Sequence, residues 1–177
     1  MEHSMIKPSR WVERTFSFGQ PVEIFPVVLA RLRGTPARAR ELVAGLSDEL
    51  LSLRWGNKWS VKEHLGHLTD LHPLDERRLA EFLRGVTTLS PADMTNRATE
   101  TANHNERPAE VLLERLQGCR GGWMRKLESL GEADLVRQAI HPRLQQQMQL
   151  VDWLYFIAEH DDHHLAWMYT LITRSPD

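Results

Sequence analysis

The sequence predicts an all-α fold, a four-helix bundle with long crossover connections. Three observations carry it. Apolar residues recur at three- and four-residue steps over four long segments, helix start and stop signals bracket them, and period-2 alternation is absent beyond a few residues around Phe16 and Phe18. The segments lie at about 22 to 46, 61 to 84, 108 to 130 and 149 to 173. With 177 residues, 41% of them hydrophobic, the chain is expected to form one domain over 1–177 around an ordinary core.

In the first segment Thr35-Pro36 reads as a helix start with proline in the first turn, and Gly45-Leu46-Ser47 closes one helix and opens a short one. The second begins with Ser60-Val61-Lys62-Glu63, the spacing of a capping box in which serine and glutamate satisfy each other's orphan backbone donors. Its stripe runs Val61, Leu65, Leu68, Leu71, Leu79, Phe82, with a kink expected at Pro73 and a stop near Gly85. From Leu89 to Pro108 the sequence is polar, which suits a surface crossing that could rim a site. The third stripe is Leu112, Leu116, Cys119, Trp123, Leu127, Leu130. Gly118, Gly121 and Gly122 interrupt it at about 1 kcal/mol each, and close helix packing is the expected return. A second polar connection, Gly131 to Gln147, contains His141-Pro142 and leads into the last helix.

Lys+Arg 22 against Asp+Glu 24 gives a net charge of -2, so no global positive field draws nucleic acid or an anionic membrane. The one cysteine, Cys119, has no intramolecular partner, and its place in an apolar stripe makes it a poor nucleophile. The stretch MEHSMIKPSRWVERTF mixes charges where a signal peptide needs an apolar core, and no apolar run approaches the roughly 18 residues of a membrane span. A cytoplasmic protein is expected, with no nucleic acid and no membrane among its partners.

The last helix carries the chemistry. Its stripe runs Leu150, Trp153, Leu154, Ile157, then His160 and His164, then Trp167, Met168 and Leu171. Residues four apart share a helix face within about 6 Å, so the two imidazoles can converge on one metal ion. An isolated H-x3-H pair is more often two ordinary hydrogen-bonded histidines. Here, two adjacent buried imidazoles with no shared ligand would leave polar groups unpaired at about 1 to 3 kcal/mol each. His163 falls one position around the helix, toward solvent. A third donor is then needed. Periodicity slightly favours His64, nearer the centre of its stripe, over His67 at the flank, while His72, His104 and His141 stand in irregular segments and are expected at the surface. Spacing alone leaves the choice open.

The string Trp59-Ser60-Val61-Lys62-Glu63-His64-Leu65-Gly66-His67-Leu68-Thr69-Asp70, followed by Glu159-His160-Asp161-Asp162-His163-His164-Leu165-Ala166, resembles the DinB family of metalloenzymes and within it the YfiT group. Phe18-Gly19-Gln20-Pro21, Gly45-Leu46-Ser47-Asp48-Glu49 and His141-Pro142 extend the likeness over nearly the whole chain. The resemblance implies a bundle in up-down-down-up order and one divalent metal on three histidines, here His67, His160 and His164. His64 then becomes a core or supporting residue. Trp167 departs from the smaller or polar residue common at that place, which would narrow the site.

Three neutral nitrogen donors leave an ion with open positions, which suits metal-assisted hydrolysis of a small-molecule substrate. Zinc or nickel is the expected metal. The alternatives are a thiol S-transferase, an activity the resemblance also implies, and a metal-binding stress protein without turnover. Glu63, Glu159 and Asp162 stand near the proposed ligands and are candidates to orient an imidazole or move a proton. Metal affinity is expected to fall as pH drops through the free histidine value of about 6.5. A homodimer is the expected oligomer, if any.

Overall fold

The computed structural model describes residues 6–173. The helices are α1 (Phe25–Val43), α2 (Asp48–Leu51), α3 (Val61–Asp70), α4 (His72–Arg84), α5 (Arg97–Thr101), α6 (Ala109–Glu128), α7 (Glu132–Leu135) and α8 (Leu150–Ile172). A short hairpin, β1 (Gln138–His141) and β2 (Gln146–Gln149), precedes α8.

The outer boundaries of the expected segment at 61 to 84 stand, the other six move by one to three residues, and two local expectations change. Thr35-Pro36 is not a helix start but lies inside α1. The Thr35 hydroxyl is held there by Asp161 at 2.7 Å, a tertiary partner invisible to local pattern. The second long segment divides at Leu71 into α3 and α4, because Pro73, in the first turn of α4, has no N–H to carry the ladder through. The capping box at Ser60 and Glu63 forms as expected. Gly85 takes φ 71° and closes α4 with the Val86 N–H on the Glu81 carbonyl, a left-handed stop that glycine accommodates without strain.

Side-chain pairs fix the helix directions. Arg33 meets Glu128 and Arg40 meets Glu110, so α1 and α6 run antiparallel. Gln20 just ahead of α1 reaches Asp152 at the start of α8, Arg31 reaches Glu159 and Arg38 reaches Asp162, so α1 and α8 run parallel. His64 against His164 and His67 against His160 set α3 antiparallel to α8. Lys62 meets the Asp48 that caps Ala109, while Glu76 meets Lys126, which sets α3–α4 parallel to α6. The order is up-down-down-up, with the long crossover between the two middle members.

The hairpin corrects the expectation that no strand competes. Ala139 pairs with Met148 and Ile140 with Gln147, and Leu89 and Thr87 add backbone bonds to Ile140 at 3.1 and 2.9 Å. Each strand has four residues and is rich in glutamine, too short and too polar for period-2 alternation to stand out. The α6 glycines do not serve close packing: a Cβ at Gly118 or Gly121 would meet nothing within 4 Å, and one at Gly122 only the tip of Arg125.

Two apolar clusters fill the bundle. One gathers Val28 and Leu32, Leu79 and Phe82, Trp123 and Leu127, and Trp153, Leu154 and Ile157. The other gathers Ala39 and Val43, Val61, Leu65 and Leu68, Leu112 and Leu116, and Leu165 and Met168. Between the two clusters the bundle helices carry a layer of polar side chains, of which Thr35, Asp75, Arg120, Asp161, His163 and His164 are buried. The candidate site lies in this polar layer. Among the described residues, no helix is long and apolar enough to cross a membrane.

Candidate metal centre

His67 on α3 and His160 and His164 on α8 bring one ring nitrogen each within 4.8 Å of the others. His160 and His164 face each other Nε2 to Nε2 at 3.0 Å. Two nitrogens bound at about 2.05 Å across a tetrahedral angle would stand roughly 3.3 Å apart, so the spacing is that of two ligands of one ion. The His67 ring centroid lies 4.7 Å from that of His164 and 5.4 Å from that of His160.

The far nitrogens are held by other groups. The His164 Nδ1 is 2.8 Å from the His64 Nδ1, so His64 stands behind His164 and leaves its Nε2 for the shared space. The His67 Nδ1 is 2.9 Å from the Thr99 Oγ1, whose hydroxyl donates to the Asp70 carboxylate at 3.0 Å. The threonine oxygen therefore accepts from the His67 Nδ1–H, and the lone pair on Nε2 is left free. His104 donates from Nε2 to the same Asp70 oxygen at 2.8 Å. A chain of three groups, Thr99, Asp70 and His104, thus sets the tautomer and ring angle of His67, an arrangement that typically raises metal affinity. Burial pushes the Asp70 carboxyl up, but the bonds from His104 and Thr99 outweigh it and hold it below its ordinary value.

The chain Asp70, Thr99 and His104 was not legible in the sequence. Asp70 carried a weak signal, since it follows His67 by three positions on one helix face. Thr99 and His104 come from the polar 89–108 crossing, which supplies Pro91 to Asn96 to the cavity rim as expected. His104 and His141 are not surface residues: they are 2% and 3% exposed. Nor does His163 face solvent. Trp11 lies 5.6 Å from it and Trp167 6.4 Å, because the N-terminal segment folds over α8.

The three carboxylates expected near the ligands are engaged elsewhere. Glu63 bonds Arg54 and the Ser60 N–H, Glu159 bonds Arg14 at 2.5 Å and Arg31 at 2.6 Å, and Asp162 bonds Arg31 at 2.5 Å and Arg38 at 2.6 Å. They brace the bundle.

Burial holds the imidazoles neutral. Desolvation, then neighbouring histidines, lowers His64 to about 3, and burial lowers His67 to about 4 against the pull of Asp70. His160 and His164 are pushed well below 6.5 for the same first reason. Protons should therefore compete with a metal for these rings only well below the free histidine value of about 6.5.

The centre opens onto a cavity of about 580 Å³. The Trp59 ring centroid stands 4.7 Å from that of His67 and 5.6 Å from that of His64, and the Trp11 and His160 rings meet T-shaped with centroids 4.9 Å apart. These aromatic rings form apolar walls beside the imidazoles. Beyond them the cavity is lined by Asp75, Arg78, Arg120, His141 and Arg143.

Residues 31–168 match the model of the DinB superfamily. The chain belongs to the DinB superfamily. A relative from Geobacillus kaustophilus is 31% identical over 178 residues, covering 96% of this chain and 97% of its own, and one from Geobacillus thermodenitrificans is 31% identical over 153 residues, covering 82% and 83%. Both carry the name "putative metal-dependent hydrolase". Among solved structures, YfiT from Bacillus subtilis superposes with a TM-score of 0.76 at 22% identity, over 90% of this chain and 91% of that one. It is described as "a probable metal-dependent hydrolase with an unusual four-helix bundle topology". A Streptococcus pneumoniae protein superposes with a TM-score of 0.62 at 13% identity, over 90% of each chain. The DinB bundle is thus the fold, and its polar layer holds a histidine cluster able to take a metal ion.

Proposed function

We propose that this DinB protein is a metal-dependent hydrolase of a small-molecule substrate, with one divalent ion, zinc or nickel, on His67, His160 and His164. The observation that carries the reading is the convergence of three ring nitrogens, on buried His67 and His164 and half-buried His160, from two antiparallel helices at the wall of one cavity. Three donors with an accessible side suit a catalytic rather than a closed structural site. An ion there supplies Lewis acidity toward a carbonyl or phosphoryl oxygen and toward water. The rest falls to the chain. His64 and the Thr99–Asp70–His104 chain keep the ligand rings in one tautomer, so no reorganisation is needed when substrate arrives. Trp11 and Trp59 give the site apolar walls, which strengthens every electrostatic interaction within it.

The test is turnover of a panel of esters and amides by zinc- and nickel-loaded protein, with and without added thiol. Thiol-independent hydrolysis that disappears with chelator and in His67→Ala is the expected result. Conjugation only in the presence of thiol, or no turnover of any substrate by metal-loaded protein, would overturn it.

A further inference from the structure

Besides the histidines, three guanidiniums from separate elements line the cavity: Arg78 on α4, Arg120 on α6 and Arg143 in the turn between β1 and β2. Two of them are incompletely partnered. Arg120 is 4% exposed and spends Nη2 on both oxygens of Asp161 at 2.8 Å, while its Nη1 is buried without a hydrogen-bond partner. The Arg143 Nη2 is likewise buried and unpaired, with its guanidinium 5.9 Å from the Phe156 ring. The Trp153 Nε1, on the same cavity wall, is a third buried donor without a partner. Arg78 differs: its Nε and Nη2 both donate to the Ser90 carbonyl at 2.9 and 2.8 Å.

We propose that this arginine lining of the cavity is a carboxylate site, in which Arg143 and Arg120 receive an anionic group of the substrate whose reacting part lies at the histidine centre. It rests on the hydrolase reading only for which end of the substrate is transformed. Unpaired buried donors are costly, and a guanidinium N–H is matched best by a planar carboxylate oxygen. One free nitrogen from each of two arginines suits the two oxygens of a monoanion. A dianion such as phosphate is disfavoured, because the Asp161 carboxylate already sits on Arg120. Of the carboxylates lining the cavity, Asp161 is bound to Arg120 and Thr35, and Asp93 to Thr95 and the Arg97 N–H. Burial pushes Asp75 up to about 7, which leaves the arginine charges less compensated near neutrality.

The probe is 3-phenylpropionate against 3-phenylpropionamide, a pair of nearly equal shape in which a neutral amide replaces the anionic carboxylate, titrated calorimetrically into metal-loaded protein. The wild type is expected to prefer the acid by at least about tenfold. Arg143→Gln should reduce that preference by about 10- to 100-fold, the worth of one charge-assisted hydrogen bond, with metal content unchanged and part of the preference kept in Arg143→Lys. Arg143 is chosen because it is half-buried in a turn, whereas an Arg120 variant would strand Asp161. An undiminished preference in Arg143→Gln would mean that the ion or another group holds the acid, and would overturn the proposal. So would equal binding of acid and amide, or tighter binding of phenylphosphonate. Charge preference without ester turnover would sink the hydrolase reading alone, and turnover without charge preference would sink this one alone.

Discussion

Gly66 lies between His64 and His67, and its replacement by alanine tests the supporting chain without touching a proposed ligand. A Cβ built at Gly66 would fall inside contact distance of three atoms of the His104 ring. That ring cannot yield freely, being 2% exposed and bonded to Asp70. If it stays, the overpacking costs about 1 to 3 kcal/mol. If it leaves, it forfeits a hydrogen bond to a carboxylate worth about 1.5 to 3 kcal/mol. Alanine returns about 1 kcal/mol of helix propensity. Gly66→Ala should therefore destabilise by up to about 2 kcal/mol. Metal affinity should fall about 10- to 100-fold, because Asp70, Thr99 and His67 lose their alignment. In a His104→Ala background the ring is gone and only the propensity gain remains, so the same Gly66→Ala change should stabilise by up to about 1 kcal/mol. Urea unfolding of the four proteins of this cycle, with metal titration of each, measures both effects. A change of the same sign and size in both backgrounds would refute the reasoning.

Single alanine variants of His67, His160 and His164 should each lose most metal binding, while His64→Ala weakens it by about 10- to 100-fold and His163→Ala least; full affinity in His67→Ala with loss in His64→Ala would reverse the assignment. Metal should be retained on dialysis from pH 7 to pH 5 and lost below it, since burial lowers His67 to about 4; half-loss near pH 6.5 would contradict the buried, neutral rings. His141 is lowered to about 3, by burial first and then by Arg78 and Arg143. The unfolded chain thus takes up a proton below about 6.5 that the folded chain refuses, so metal-free protein should lose stability as pH falls from 6.5 toward 3, and His141→Gln should flatten that slope in urea midpoints. Arg120→Ala, which strands a buried Asp161, should cost about 3 to 5 kcal/mol in chemical unfolding, whereas Arg40→Ala, in an exposed pair with Glu110, should cost under about 1 kcal/mol.

The sequence by itself determined the four long helices and the facing of His160 and His164, because helical period and i, i+4 spacing are properties of a single segment. The capping box at Ser60 belongs to the same class, being two side chains and two backbone groups within four residues. Periodicity did not separate His64 from His67, for a reason visible only in the packing. Residues 61–69 of α3 are buried on every side, by α6 and α8 and by the crossing that carries α5 and His104, so no exposed face exists for a stripe to oppose. Contact with α8 placed a His67 nitrogen in the shared space and set His64 behind His164. His104, His141 and His163 were misjudged as surface groups because the segments that cover them, the N-terminal stretch with Trp11 and the two polar connections, have no repeating pattern to read. The hairpin escaped for the same reason, and with it Arg143. What joins Asp70, Thr99 and His104 to His67, or Arg143 to Arg120, is chain crossing over tens of residues, and only the tertiary structure decides which side chains that crossing brings to one cavity.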